Sequence, residues 1–229
     1  MESIYRGHRF PGDIISYAIW LYHRFTLSFR DVEDLLAERG ISVSYEAIRS
    51  WCIKFGPIYA RSLRRKQGRL GDIWHVDEVF ITIRGERHYL WRAVDQDGDV
   101  IDILVTKHRD FRAAKRFFRK ALKHQGQVPW QLVTDKIRTY QAAHREVFPS
   151  VVHRTGRNEN NLVEVSHQHT CEQEKQMRRF KSSQQAQRFL SVHGAIQNLF
   201  RFGRHHLKAV HYRLLRGRAF SDWRTAICV

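Results

Sequence analysis

The chain has 229 residues, 42% of them hydrophobic, and its 40 Lys and Arg against 23 Asp and Glu give a formal net charge of +17. This composition supports a buried core and excludes a disordered chain, and the length suits one medium domain with a small one beside it. An excess of cation on this scale points to a polyanionic partner, of which nucleic acid is the commonest. The apolar run near the start, IISYAIWLY (14–22), is too short to span a bilayer, and MESIYRGHRF lacks the layout of a signal peptide. The three cysteines, Cys52, Cys171 and Cys228, form no CxxC pair, which argues against a disulfide framework and an ordinary zinc knuckle. A cytoplasmic protein with no membrane partner is expected.

Residues 1–70 read as helical. PGDIISYAIWLYHRF (11–25) opens on Pro and runs apolar at helical spacing. Ser28, with Asp31 three residues on, forms a capping box for the helix at 29–39, which is expected to bury Val32, Leu35 and Leu36. Gly40 suits a left-handed C-cap, and Ser44 caps a third helix over 45–55, where Ile48, Trp51, Cys52 and Phe55 make one apolar stripe. Two short helices about a Gly-containing turn match a helix-turn-helix. Its second helix would present Tyr45, Glu46, Arg49, Ser50 and Lys54 to the major groove of DNA. A plain three-helix bundle has the same pattern; the charge favours DNA. ARSLRRKQGRL (60–70) reads as a basic bridge.

From residue 71 the apolar period changes. Strands are expected over 73–83, 87–95 and 100–107, with RGE and QDGD as the turns between them. Next come an amphipathic helix over 110–126, a short strand over 130–135, a helix over 138–148, a strand over 150–155 and a long helix over 160–180. Three meandering strands followed by crossover units give an α/β fold, a mixed sheet with flanking helices. The domains expected are 1–70, 71–181, and a basic helical extension of the second over 182–229. Trp74, Trp91 and Trp130 are expected in the core. The acids gather in the middle: residues 71–164 hold 13 of the 23, while 165–229 hold 3 against 12 Lys and Arg.

One strand raises a chemical question. In GDIWHVDEVFITIRG (71–85) an acidic pair, Asp77 and Glu78, interrupts an apolar strand. Burying a carboxylate costs several kcal/mol unless it is compensated. Asp135 ends the strand QLVTD and Glu164 opens the long helix, so three carboxylates from three elements can meet at one sheet end. Hard divalent cations reverse the repulsion among them. Two such ions, about 3.5–4 Å apart, clamp the attacking and leaving oxygens of a phosphodiester. Glu78, one residue on, points to the other strand face and is expected to be a structural acid, or one that supports the ligands from behind, rather than a further ligand.

WHVDEVFITIRGERHYLWRAVDQDGDVIDILVTKHRDFRAAKRFFRKAL, VTDKIRTY and NNLVEVSHQHTCEQEKQMRRFKS resemble the DDE transposases of bacterial insertion sequences, in particular the small replicative, cointegrate-forming group. The resemblance extends to YHRFTLSFRDVEDLLAERGISVSYEAIRSWCIKFGP and so spans nearly the whole chain. It implies a ribonuclease-H-like catalytic domain preceded by an all-α helix-turn-helix domain. It further implies Asp77, Asp135 and Glu164 as catalytic ligands of Mg²⁺ (or Mn²⁺), two ions in number. DNA contacts are expected from Tyr45, Arg49, Lys54, Lys136, His167, Lys175 and Arg178. The implied activity is binding of the terminal inverted repeats, nicking and strand transfer, by a homodimer or larger assembly acting at the nucleoid. A nuclease or integrase of the same fold, or a DNA-binding regulator with a decayed centre, are the alternatives. Two positions depart from the family: Val165 follows the Glu, and Cys171 stands where relatives place Arg or Lys.

Other motifs carry less. HQHTC (167–171) lacks ordinary zinc-ligand spacing, because residues two apart on a helix do not face each other. His167 is instead placed to touch a phosphate or orient Glu164. DQDGD lacks the spacing of a calcium loop, and no GxxxxGK[ST] stretch suggests a nucleotide cofactor. FRFGRHH (200–206) mixes aromatic and basic residues and suits either DNA or a solvated helix face.

Overall fold

Two serines start helices in the N-terminal part. The computed structural model describes residues 4–155, 167, 171–177, 179–202 and 207–227, in two units: 1–68 with 192–229, and 69–191. In the first unit, α1 is Gly12–Arg24, α2 is Phe29–Ala37 and α3 is Tyr45–Lys66. Ser28 and Asp31 form the full capping box of α2. Ser44 accepts from the Ala47 N–H to cap α3. Gly40, at φ +75°, makes the turn between them, with Ile41 N donating to Leu36 O.

The expected third helix over 45–55 continues to Lys66, straight through Pro57. An interior proline costs about 3 kcal/mol. Beyond it, Tyr59 and Leu63 are buried, each contributing roughly 1.5–3 kcal/mol, and that offsets the break. Leu35, expected in the core, is 43% exposed; Val32 and Leu36 carry the apolar face of α2. Two C-terminal helices follow, α6 (Ser183–Leu199) and α7 (Ala209–Ile227). Residues 192–229 group with the N-terminal helices, where an extension of the sheet domain was expected. Their aromatic rings explain why: Trp223 packs edge-on against Tyr59, and Phe220 against Trp20.

The second unit holds a five-stranded sheet in the order β3-β2-β1-β4-β5. The strands are β1 (Ile73–Ile83), β2 (Glu86–Val94), β3 (Val100–Thr106), β4 (Gln131–Thr134) and β5 (Val152–Thr155). β1, β2 and β3 form an antiparallel meander, and β4 and β5 add in parallel to β1. This is the mixed sheet with flanking helices that was expected. The β1–β2 turn is Arg84–Gly85, with φ of 53° and 85°, the two left-handed residues of a type I′ hairpin. α4 (Phe111–Gln125) and α5 (Arg138–Val147) lie on one face of the sheet. There Trp74, Val76 and Trp91 pack with Phe117, Phe118, Tyr140 and Phe148. At the β3 edge, Gln187 accepts from Val105 N and donates to Ile103 O, so the edge strand is covered.

Trp130, expected in the core, is 62% exposed because it stands just before β4 begins. Of the long helix expected over 160–180, the described residues 167 and 171–176 are helical. It stops by Met177, and Arg179 adopts φ 69°. Glu164, Val165 and Arg178 lie outside the described residues. No helix among the described residues is long and apolar enough to cross a membrane.

Candidate active site

The β1–β4 register builds the site. Val76 pairs with Thr134, so the next residues, Asp77 and Asp135, stand side by side where β4 ends. β1 continues beyond that point, but the parallel ladder does not. Asp135 turns back to accept from the Ile137 N–H at 3.2 Å, just ahead of α5. Asp77, Glu78 and Asp135 each offer a carboxylate oxygen within 4.8 Å of the others. All the donors are hard oxygens, a set suited to a divalent cation such as Mg²⁺ or Mn²⁺.

Glu78 corrects the expectation in part. It does leave β1 towards the α4–α5 side, where the Tyr140 hydroxyl donates to it and Arg109 pairs with it. Its carboxylate still joins the cluster, because a Glu side chain at the end of the ladder is long enough to reach it. The three acids differ in access: the side chains of Asp77 and Asp135 are 18% and 38% exposed, that of Glu78 only 3%. Burial lifts the Glu78 carboxyl to about 7, against the opposing pull of Tyr140 and Arg109. Burial also raises Asp135, opposed by the Ile137 N–H and Arg109. Tyr140 is pushed well above its ordinary value, first by burial and then by Glu78. Arg109 also lies 3.9 Å from Asp135, so one guanidinium spans two of the acids.

On the opposite face, Asp77 stands directly across the ladder from Arg92, which is buried. His167 is buried too, with Nε2 3.8 Å from Asp77 Oδ2. Burial, then Arg92, lowers His167 to about 3, which keeps the ring neutral. His167 thus lies in reach of Asp77, while Glu164, the carboxylate it was expected to orient, lies outside the described residues. Cys171 is half-buried, and burial raises its thiol.

Residues 71–203 match the DDE domain of IS240-type transposases. The chain belongs to this DDE transposase family. Over 172 residues the transposase is 32% identical to the transposase for insertion sequence-like element IS431mec of Staphylococcus aureus (strain Mu50 / ATCC 700699). That alignment covers 73% of this chain and 76% of the relative. It is 31% identical, over the same shares, to the transposase for insertion sequence element IS257 in transposon Tn4003 of Staphylococcus aureus. The HTLV-2 integrase catalytic core domain in complex with magnesium (trimeric form) aligns with a TM-score of 0.42 at 16% identity, over 58% of this chain and 88% of that one.

The remaining expected site residues of the transposase fall in several places. Arg49 and Lys54 are exposed on α3, Lys54 with its Nζ 2.8 Å from His8 Nε2. Tyr45 is half-buried beneath Arg30, 4.7 Å from its ring centre. Lys136 is exposed beside Asp135, and Lys175 is exposed on the helical segment 171–176. Glu78, Arg92, Arg109 and Tyr140 were not anticipated as a group. Two signals in the sequence point to them. A two-residue turn at Arg84–Gly85 makes Asp77 face Arg92, and Glu78 face Trp91, by counting back along the hairpin. Arg109 lies in the loop that leaves β3, whose direction matches β1 and β4, so that loop emerges at the carboxyl end of the sheet.

Proposed function

We propose that this transposase binds the terminal inverted repeats of its insertion sequence and performs metal-dependent strand cleavage and strand transfer. The observation that carries this reading is the meeting of Asp77 and Asp135 set by the Val76–Thr134 register. Asp77, Asp135 and Glu164 are the proposed ligands of Mg²⁺, with Mn²⁺ as substitute and two ions as the complement. A bound ion supplies Lewis-acid polarisation of the scissile phosphodiester. Glu78, clamped by Tyr140, limits where the neighbouring Asp77 can point. His167 and Arg92 support Asp77 from the other face. The cationic Arg109 offsets the negative charge of the acids before substrate enters.

The exposed residues Arg49 and Lys54, with Tyr45, form the proposed groove-reading surface of a helix-turn-helix. Lys136, Lys175 and Arg178 are the proposed phosphate contacts near the acids. A dimer or larger assembly is proposed because two transposon ends must be joined to one target, in the bacterial cytoplasm at the nucleoid. The test is an in vitro strand-transfer assay with the native element ends, a plasmid target and Mg²⁺, comparing wild type with Glu164→Gln. Joined products from wild type alone support the reading. Equal product from Glu164→Gln, or none from either protein, refutes it.

A further inference from the structure

The outward face of α4 is a row of cations. Arg112, Arg116, Arg119 and Lys123 follow i, i+4, i+7, i+11 and are all exposed, opposite the buried Ala113, Ala114, Phe117, Phe118 and Ala121. The helix holds six Lys and Arg and no Asp or Glu. Helix energetics favour only the row's last member, Lys123, which complements the dipole in the final turn. Like charges one turn apart destabilise by about 0.2–0.5 kcal/mol per pair, and cations in the first turn oppose the helix dipole. A helix face that is merely solvated mixes its signs. Glu146 of α5 answers Lys115 and, at 3.5 Å, Arg119. Phe111, Arg112, Lys115, Arg116 and Arg119 line an open groove at the head of the row. Arg109, just before the helix, reaches Glu78 in the acidic centre.

We propose that this row is a docking track for target duplex DNA, leading from the acidic centre along α4; the proposal rests on the transposase reading above. At 1.5 Å per residue the row is roughly 16 Å long, close to five base-pair steps of a duplex. The row holds no Asn, Gln, Asp or Glu, so its long cations contact phosphates and can read at most guanine edges, which leaves little sequence preference. That suits a target rather than the element's own ends. Only Phe111 among these residues offers an aromatic face, too little to stack the bases of a single strand. A second copy of the chain meeting this face about a two-fold axis would set Arg against Arg, so charge selects DNA over self-association.

The test uses full-length protein and a 30-base-pair duplex of arbitrary sequence, with affinity measured across a salt series. R112Q/R116Q removes two phosphate contacts, so the log–log salt slope should be shallower by about 1.8, with melting temperature unchanged. Glu146→Gln removes the acid opposing the row and should steepen the slope by up to about one unit, a direction that misfolding does not imitate. A wild-type slope in R112Q/R116Q overturns the proposal, as does a change confined to self-association in sedimentation. Wild type is assayed alongside for end joining. If it joins ends while the slope ignores the row, the track alone fails; if it binds no duplex at all, the transposase reading fails with it.

Discussion

Val76 of β1 pairs with Thr134 of β4, and this one register places Asp77 beside Asp135. A slip of one residue would turn one of the two carboxylates to the wrong face of the sheet. On the proposed function, chemistry and end recognition rest on different residues. Asp77→Asn should abolish strand transfer while leaving binding of end DNA within about twofold of wild type. Arg49→Ala, on the exposed face of α3, should weaken end binding by roughly five- to tenfold, in line with the loss of a charged contact. Band-shift titration with end DNA and strand-transfer assays on both variants check this. Equal loss of binding in Asp77→Asn would mean that Asp77 holds the fold.

Tyr140 is fully buried and donates to Glu78. Tyr140→Phe keeps the ring among Trp91 and Phe118 but removes that donor. The carboxylate is left with Arg109, and stability should fall by about 1–3 kcal/mol. Urea denaturation at neutral pH measures this. A loss below about 0.5 kcal/mol would show that Glu78 gains nothing from the hydroxyl.

His153 gives the protein a pH dependence away from the acids. Burial, and then His144 stacked on it, depress His153 to about 4, while its Nε2 meets the Thr134 hydroxyl at 2.8 Å. A folded-state value below the unfolded one of about 6.5 means that the unfolded chain takes up the proton first. The contribution of this site is thus full above about pH 6.5 and falls as pH drops towards 4. The melting temperature should fall over that window, and more steeply in wild type than in His153→Gln. Parallel profiles for the two proteins would contradict the assignment.

The β1–β2 turn holds a non-glycine residue, Arg84, at φ 53°. Asn adopts that conformation more readily and is favoured at the first position of a type I′ turn. Arg84→Asn should raise stability by roughly 0.5–1 kcal/mol without altering strand transfer. Thermal denaturation decides, and a destabilised variant would mean that the Arg84 side chain makes a contact worth more than the strain.

Much of the sheet was legible because its signals are local. Alternating apolar residues, the Arg84–Gly85 turn and the Asp95–Asp99 loop, where Asp95 accepts from the Asp97 and Asp99 N–H groups, each declare themselves within ten residues. Asp77 and Asp135 were legible for a different reason: a carboxylate inside or ending an apolar strand needs something to compensate it. What escaped depends on partners far away in the chain. Pro57 reads as a stop until Tyr59 and Leu63 are seen to be buried beyond it. Trp130 reads as core on apolarity alone, yet one position before a strand can face either way. Glu78 reads as structural by strand period, since that rule gives a side chain's direction and not its reach.

The sheet also dictates an order of events. β1, β2 and β3 pair through short turns and can form as soon as they leave the ribosome, whereas Val76 must find a partner 58 positions later in the chain. Closing that longer loop comes late, because its entropy must be met before contact rewards it. Asp77 is therefore expected on the meander before Asp135 arrives beside it. A product ending before β4 carries Asp77 without Asp135, and so holds half of the carboxylate pair with nothing beside it to complete the cluster.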